Sequence, residues 1–532
     1  MPSPEILSEK AAMTNKRFTV RSQHLRFTQV ILQDQTDIRN ELVQQREWLL
    51  HPSEKLELQG NLFVLENVIT GDGQVLVKLA PLPHARPVTS PVDITVIPRK
   101  DSGFDFILHG DPTGGGNSST EFAVLNYSGG RFGRVRALQS FQRSQVPAAA
   151  KCHPPRFLSN TWGDRSRDSR ICQSFMELEI EAGARLGVEV IQIDDGWQKG
   201  ISRNSARAAG KGVWEGFWRV QPDFWEPDPV KFPLGLQPLT RQAARHGMAL
   251  GLWYAADSVD DFANWEKDAA CLTAYHSNLG IRHFKIDSIH APNARAHANL
   301  RLLFDKVRDS TGGNVVFDLD VTAQRRPGYF GLLGTGPLFV ENRYSDGHSY
   351  WPHQTLRNLW QLSGWVDPGR LRMEFLNHSR NIEKYPDDPL APSCYTPDAL
   401  FATVFFSNPL GWFEISNLPA SYLERVTPLV RIWKELRQEL FSGTILPLGQ
   451  APDGVSWTGF ASVQDGGGGA IVLIYRELNP NSFCRLDIPG FVGHGQVRCE
   501  VLAGRGQAIW QDEALQVTVT SSLSWVLIRL NI

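Results

Sequence analysis

The sequence predicts an α/β fold, a (β/α)8 TIM barrel between an N-terminal β-sandwich-like domain and a C-terminal antiparallel β domain. In the middle of the chain, short and largely apolar segments alternate eight times with segments of helical composition. Strands that are buried on both faces read as such continuous apolar runs. The two flanks instead read as short strands separated by Gly, Pro and Asp turns. A chain of 532 residues is also longer than a single hydrophobic core usually supports, so several domains are expected.

The pattern assigns residues 1–150 to the N-terminal domain, 151–440 to the barrel and 441–532 to the C-terminal domain. The strands expected in the N-terminal domain include 61–68, 74–79 and 104–108. The expected barrel strands are 156–160, 188–194, 249–254, 282–287, 314–319, 338–343, 371–376 and 402–406. Helices are expected at 173–186, 240–246 and 293–310.

Composition excludes several classes of function. With 54 Lys and Arg against 56 Asp and Glu, the net charge is −2, so nucleic acid is not an expected partner. No apolar run approaches the length of a membrane helix, and the first twenty residues lack the apolar core of a signal peptide. The six cysteines are scattered, which predicts reduced, mostly buried thiols in a cytoplasmic protein. No metal-ligand spacing is evident, and no cofactor is expected.

Tryptophan is concentrated in the predicted barrel, where 12 of the 16 lie between Trp162 and Trp433. Most of them can be explained as core residues. Indoles also stack on the C–H faces of sugar rings, so a carbohydrate substrate is consistent with this density.

Polar residues follow several predicted barrel strands at their C-terminal ends, where barrels build their active sites. Taken singly, Asp-Asp-Gly is a common turn, Lys-x-Asp allows a simple ion pair, and Ser-Asp can cap a helix. Together, carboxylates on separate strand ends converge on one mouth, as glycoside hydrolysis requires. The segments are 193–197 (IDDGW), 251–254 (GLWY), 284–287 (FKID) and 341–346 (ENRYSD).

These motifs, in this order, resemble those of the α-galactosidases of glycoside hydrolase family 36 and of family 27 in the same clan. The resemblance extends to 405–418 (FFSNPLGWFEISNL), to a helix at 433–440 and to 452–460 (PDGVSWTGF), so that it covers about residues 155–462. It implies a retaining α-glycoside hydrolase, most simply an α-galactosidase that acts on terminal α-galactosides of small molecules or oligosaccharides.

Carried over by residue, the resemblance makes Asp287 the nucleophile and Asp346 the general acid/base. Lys285 would hydrogen-bond the sugar and keep Asp287 ionised. Asp194 and Asp195 would accept hydrogen bonds from the 4- and 6-hydroxyls of a galacto-configured ring. Trp197 and Trp253 would wall the pocket, and the predicted substrate-binding set also includes Trp162, Asp320, Arg326 and Arg343.

The chain departs from the family at 320–326 (DVTAQRR), where the family usually has Cys-x-Ser-Gly-Gly-Gly-Arg. Arg326 matches the family's arginine, whereas Asp320 replaces the cysteine and side chains replace the three glycines. The floor of the pocket at the sugar's C2 should therefore differ, and an N-acetylated or acidic sugar stays open as the substrate, the latter because of Arg325.

Other assignments also stay open. Asp367, in 364–368 (GWVDP), competes with Asp346 as the acid/base, and Asp318 and Asp320 are weaker alternatives. The same catalytic pair would serve a galactosyltransferase of the raffinose-synthase type. A glycan binder without turnover is the least favoured reading, because a binder has no need of both carboxylates. A homo-oligomer is neither required nor excluded.

Overall fold

The structure, a computed structural model, describes the chain except for residues 1–4, 7–14, 22–23, 33–41, 51–53, 80–91, 102, 110–121, 148–153, 165, 209, 321–327, 341–349, 467 and 492. Three regions follow one another along the described chain: a pair of antiparallel sheets, a closed parallel barrel and a second pair of antiparallel sheets. This arrangement confirms the predicted fold class. The predicted domain boundary at 150 lies outside the described residues, and the one at 440 stays a prediction.

The N-terminal region is a sandwich of two antiparallel sheets. Phe27 and Phe63 from one sheet and Phe106 from the other form a buried stack, in which the ring centroids of Phe63 and Phe106 each lie 5.9 Å from that of Phe27. The described strands of the first sheet are, in spatial order, Glu5–Ile6, Phe122–Tyr127, Gly73–Lys78, Leu62–Asn67, Leu25–Leu32 and Val43–Leu49. Those of the second are Asn15–Val20, Gly103–His109, Ile94–Arg99 and Leu56–Leu58.

A helix, Gly130–Ser144, follows the sandwich in a region expected to be all strand. Val135, Leu138 and Phe141 recur at three-residue spacing and are buried, but the glycines at its start interrupt the pattern. Gln139 joins this helix to the C-terminal region, since its amide both donates to the carbonyl of Ile445 and accepts from the Ile445 N–H, at 2.7 and 2.9 Å.

The barrel closes because its first strand pairs in parallel with both the second and the eighth. Within the described residues its strands are, in order, Leu158–Asn160, Val190–Ile193, Ala249–Ala255, His283–Asp287, Val316–Asp320, Leu338–Val340, Leu371–Phe375 and Asn408–Trp412. The first seven overlap the expected strands. The α-helices of this region are Gln173–Leu186, Phe217–Val220, Gln237–Arg245, Val259–Phe262, Trp265–Leu279, Ala294–Ser310, Pro352–Leu362, Pro397–Ala402 and Ala420–Ser442. Short 3-10 turns are at Pro368–Arg370, Ile382–Lys384, Pro392–Cys394 and Ile415–Asn417.

The prediction of the eighth strand at 402–406 was wrong. Ala402 ends a helix, the next four residues form a turn, and the strand is Asn408–Trp412. The misassigned segment, ATVFF, is wholly buried, and a short buried apolar run has no periodicity that separates strand from helix. The true strand begins with Asn408 and Pro409, residue types that are depleted in strands.

The C-terminal region again consists of two antiparallel sheets around an apolar core, in which Val472 and Ile528 of one sheet and Val517 of the other are fully buried. The larger sheet has the order Thr444–Gly449, Trp457–Val463, Gly469–Arg476, Ser524–Asn531 and Arg498–Gly504. The smaller contains Phe483–Leu486, Ala514–Thr518 and Gln507–Gln511.

Two sequence-level expectations concern the chain as a whole. In the described part of the chain, no helix is both long and apolar enough to cross a membrane. Cys172, Cys271, Cys484 and Cys499 are free and partly buried, whereas Cys394 is exposed, so these thiols are less buried than expected. Cys152 lies outside the described residues.

A buried ion pair crosses the barrel interior below its mouth. Arg372 donates from Nε to Asp318 Oδ1 at 2.5 Å, and both side chains are at most 2% exposed. Arg372 also donates to the Arg156 carbonyl at 3.1 Å. A buried pair of this kind adds little net stability, but loss of one partner leaves an uncompensated charge in the core.

We therefore expect Arg372→Met to lower the free energy of unfolding by about 3–5 kcal/mol, because it strands the Asp318 carboxylate. Adding Asp318→Asn in the same chain should recover part of that loss. Thermal and urea unfolding of the single and double variants would measure both effects. A double variant no more stable than Arg372→Met would contradict this account of the pair.

Candidate active site

A cavity of about 180 Å³ opens at the C-terminal ends of the barrel strands. Its floor comes from residues at or near the C-terminal ends of the second, third, fourth and fifth strands, and its rim from loops after the first and second. Parallel strands present their C-terminal ends at one edge, which explains why residues far apart in sequence meet here. The described residues that line it are Trp162, Arg167, Asp194, Asp195, Arg203, Asn204, Trp214, Trp253, Lys285, Asp287 and Asp320.

Asp194 and Lys285 form an ion pair at the floor of the cavity. Lys285 Nζ lies 3.0 Å from Asp194 Oδ2, and the two side chains are 4% and 3% exposed. Asn160 Nδ2 donates to the same oxygen at 2.7 Å, and the backbone N–H of Asp195 donates to the other oxygen at 2.8 Å. Lys285 Nζ also lies over the rings of two aromatic residues, Phe339 and Trp412. Because its charge is compensated at several points, the lysine is held in a fixed position.

Asp195 is the second buried carboxyl of the pair. Gln198 Nε2 donates to Oδ1 at 2.8 Å, and the Ser202 hydroxyl donates to Oδ2. Burial raises the pKa of the Asp195 carboxyl to about 7, against the opposing effect of these two donors. Asp195 therefore titrates close to neutral pH.

Asp287 is the last residue of the fourth strand, and its side chain reaches the cavity. The indole of Trp253 donates to Oδ2 at 3.3 Å, and the backbone N–H of Ser288 donates to Oδ1 at 2.7 Å. Ser288 has a φ of 59°, a left-handed backbone conformation that non-glycine residues rarely adopt. Donors on both oxygens favour the ionised carboxylate, which suits a nucleophile.

Two tryptophans predicted to wall the pocket occupy different layers. Trp253 lines the cavity beside Trp214, with ring centroids 6.2 Å apart. Trp197 is fully buried behind it, where its indole donates to the Trp253 carbonyl at 2.9 Å and packs edge-on against Tyr275. Trp197 therefore positions the strand that carries Trp253 and does not face the cavity.

The glycine of the Asp-Asp-Gly-Trp motif is required by a close approach. Gly196 has a φ of 112°, and a Cβ at this position would lie 2.0 Å from the Cβ of Asp168. Lys231 Nζ ties both residues together, donating to the Gly196 carbonyl at 2.7 Å and to Asp168 Oδ2 at 3.2 Å. The turn after the second strand is thus packed directly against the loop that follows the first strand.

The structure brings most of the predicted site residues into one cavity. Trp162, Asp194, Asp195, Trp253, Lys285, Asp287 and Asp320 line it, whereas Trp197 lies behind it. Arg326, Arg343 and Asp346, with the altered segment after Asp320, lie outside the described residues.

The alternative acid/base Asp367 does not reach the mouth. It precedes the seventh strand, at the opposite end of the barrel, and pairs with Arg143 through two hydrogen bonds of 2.9 and 3.0 Å. Its side chain also accepts from the N–H of Gly369. Asp318, a weaker alternative for the acid/base, forms an ion pair with Arg372 in the barrel interior. Neither residue lines the cavity.

Sequence reasoning missed Arg167, Arg203, Asn204 and Trp214, all of which line the cavity. They lie on irregular loops after the first and second strands, where no periodicity indicates which side chains turn inward. The density of tryptophan in this part of the chain was the one available signal, and it singled out none of them.

The described residues contain no group of three His, Cys, Asp or Glu side chains that could hold a metal ion. His353, at the start of a helix, lies outside the cavity, and burial lowers its pKa to about 4.

No protein-family profile matches the chain. The chain is 32% identical over 146 residues to α-galactosidase 2 of Pediococcus pentosaceus, a match that covers 27% of the chain and 18% of that relative. The matched segment is thus a small part of the relative's length.

Solved structures match over nearly the whole chain. A variant of the family 36 α-galactosidase AgaA from Geobacillus stearothermophilus, in complex with 1-deoxygalactonojirimycin, aligns with a TM-score of 0.69 and 13% identity, covering 97% of the chain and 76% of the other. The α-galactosidase from Lactobacillus brevis aligns with a TM-score of 0.68 and 13% identity, covering 97% and 74%. The fold of the chain is therefore that of the glycoside hydrolase family 36 α-galactosidases, as the resemblance of its motifs predicts.

Proposed function

We propose that the chain is a retaining α-galactosidase that hydrolyses terminal α-galactosides through a covalent galactosyl-enzyme. The observation that carries the proposal is the position of Asp287: a carboxylate with two donors, at a strand end, in the same small cavity as the Asp194–Lys285 pair and Asp195. A nucleophile needs an ionised oxygen beside a pocket that fixes the sugar, and this cavity supplies both.

In the proposed reaction, an oxygen of Asp287 attacks the anomeric carbon while the bond from that carbon to the leaving oxygen breaks. Asp346 gives its proton to the leaving oxygen, so that the aglycone departs as a neutral alcohol. Asp346 then removes a proton from water, which attacks the same carbon and releases Asp287. Two inversions retain the α configuration.

The buried floor supports a galacto-configured ring. Asp194 and Asp195 present carboxylate oxygens beside one another, and hydroxyls at C4 and C6 on the same edge of the ring can donate to them. Trp162, Trp214 and Trp253 offer indole faces or edges to the apolar side of the ring. A pocket that hydrogen-bonds hydroxyls rejects a sugar that does not present them there.

The comparisons support this choice of substrate. Variants of the Geobacillus stearothermophilus enzyme AgaA, which share the fold, have been solved in complex with raffinose and with stachyose. Oligosaccharides that end in an α-galactosyl residue are therefore the substrates we propose. We also propose a cytoplasmic location, which suits the free thiols, and leave a homo-oligomer as a further proposal.

The nucleophile assignment predicts that Asp287→Asn reduces hydrolysis of 4-nitrophenyl α-galactoside on the order of 10⁴-fold with the thermal unfolding midpoint retained, because the covalent step is lost. The wild type should also be assayed on a panel of other 4-nitrophenyl glycosides: the α-N-acetylgalactosaminide, β-L-arabinopyranoside, α-glucoside and α-uronide. Activity of the wild type on one of these alone would keep the mechanism and change the sugar. Full activity of Asp287→Asn would contradict the assignment.

The acid/base assignment predicts that Asp346→Ala slows substrates with poor leaving groups most, since an activated phenol needs little protonation. Azide should partly restore the rate on 4-nitrophenyl α-galactoside. Asp367→Ala is the matched control, because that carboxyl lies at the other end of the barrel. The loss of rate should depend on the leaving group in Asp346→Ala and not in Asp367→Ala. The opposite result would make Asp367 the acid/base.

The buried Asp195 predicts an acidic limb in the pH profile of kcat/KM near its pKa of about 7. Below that pH the carboxyl is protonated and loses an acceptor for the sugar hydroxyls, so activity falls as pH falls. Asp195→Asn, which cannot ionise, should be weakly active at every pH and lack this limb. An unchanged limb in the variant would assign the titration to another group.

A further inference from the structure

Two arginines, Arg167 and Arg203, lie at the rim of the cavity. Arg167 and Arg203 are exposed and line the cavity, and among the described residues no carboxylate forms an ion pair with either of them. The cation deeper in the cavity, Lys285, is paired with Asp194. On the same loop as Arg203, Arg207 is already engaged by Asp228 at 3.0 Å. The uncompensated positive charge of the described cavity is thus at its mouth.

Both arginines are carried by backbone that a buried polar network fixes. Asp168, next to Arg167, accepts from the Ser205 hydroxyl and from the Ala206 N–H, both at 2.6 Å. The N–H of Ser205 in turn donates to the Ser202 hydroxyl, next to Arg203, at 3.2 Å. The Ser202 hydroxyl also bonds Asp195, on the cavity floor.

Backbone geometry supports the same reading. Arg167 has a φ of 50°, a left-handed conformation that a non-glycine residue adopts only where the surroundings impose it. The N–H of Arg203 donates to the Val213 carbonyl at 3.1 Å. The two arginine side chains therefore extend from fixed backbone positions at the same opening.

We propose that Arg167 and Arg203 form a subsite for an anionic group, so that the preferred substrates are α-galactosides that carry a carboxylate, sulfate or phosphate. This inference rests on the proposed function. Guanidinium groups bind these anions through paired, charge-assisted hydrogen bonds. The anion must lie at the mouth, because Asp194, Asp195 and Asp287 would repel it from the floor.

Such a group has two chemical sources, namely the aglycone or an outward-facing hydroxyl of the galactosyl ring. The α-galactoside of 4-hydroxybenzoate and that of its methyl ester form a matched pair that differs in the charge of the aglycone. A 3-O-sulfated 4-nitrophenyl α-galactoside, compared with the unsulfated compound, places the charge on the ring. Wild type, Arg167→Gln/Arg203→Gln and the control Lys211→Gln would each be assayed on both pairs, Lys211 being exposed on the same loop and outside the cavity lining.

We expect the ratio of kcat/KM for the charged to the uncharged member of one pair to fall about tenfold in the double variant, as the loss of charge-assisted hydrogen bonds implies. The ratio should also fall in wild type at high salt and stay constant in Lys211→Gln. The pair that responds identifies the source of the anion.

Equal ratios in wild type and the double variant on both pairs, with the uncharged galactosides turned over, would overturn this inference and leave the proposed function intact. Failure of the wild type to hydrolyse any of the four galactosides would overturn the proposed function itself. The two failures are therefore distinguishable in one experiment.

Discussion

Closure of the barrel is the constraint on which the cavity depends. The first strand pairs with the second through Asn160 and Gln192 and with the eighth through Asn160 and Trp412, so one residue is fixed from both sides. The side-chain amide of Asn160 donates a hydrogen bond to Asp194, and the Asp194 carboxylate also accepts one from Lys285. An open sheet would separate these side chains. The geometry of the floor is thus a consequence of the register of parallel strands.

Closure also explains how the interior tolerates so many ionisable groups. Transfer of a single carboxylate into the core costs several kcal/mol, unless a partner and hydrogen bonds compensate it. In the layer below the floor, Asp318 and Arg372 neutralise one another, and Lys285 and Asp194 do so in the layer above. The described hydrogen-bond donors to the Asp195 side chain, Gln198 and Ser202, are both uncharged, and burial raises the pKa of this carboxyl to about 7.

Much of the barrel and of the cavity floor could be predicted from the sequence, because both depend on local patterns. Apolar runs indicate the strands, and polar residues directly after them must lie at the mouth. The eighth strand was misplaced because ATVFF and the strand that follows it are both buried, and burial alone carries no period. The rim was beyond reach for a different reason: Arg167 and Arg203 are placed by contacts between loops, through Asp168 and Ser205, that leave no trace in either loop's own sequence.

The hydrogen bond from the Arg156 N–H to the Asn408 side chain joins residues that are 252 positions apart in the sequence, and the hydrogen bond from Lys285 to Asp194 joins residues that are 91 positions apart. Contacts of such long sequence separation form late, because the intervening chain must first surrender its conformational freedom. During synthesis, the first strand emerges long before the eighth, so all three of its residues, which are buried in the folded barrel, lack one neighbouring strand until the eighth is made. The cavity is therefore among the last parts of the molecule to assemble, and it is complete only when the whole barrel has folded.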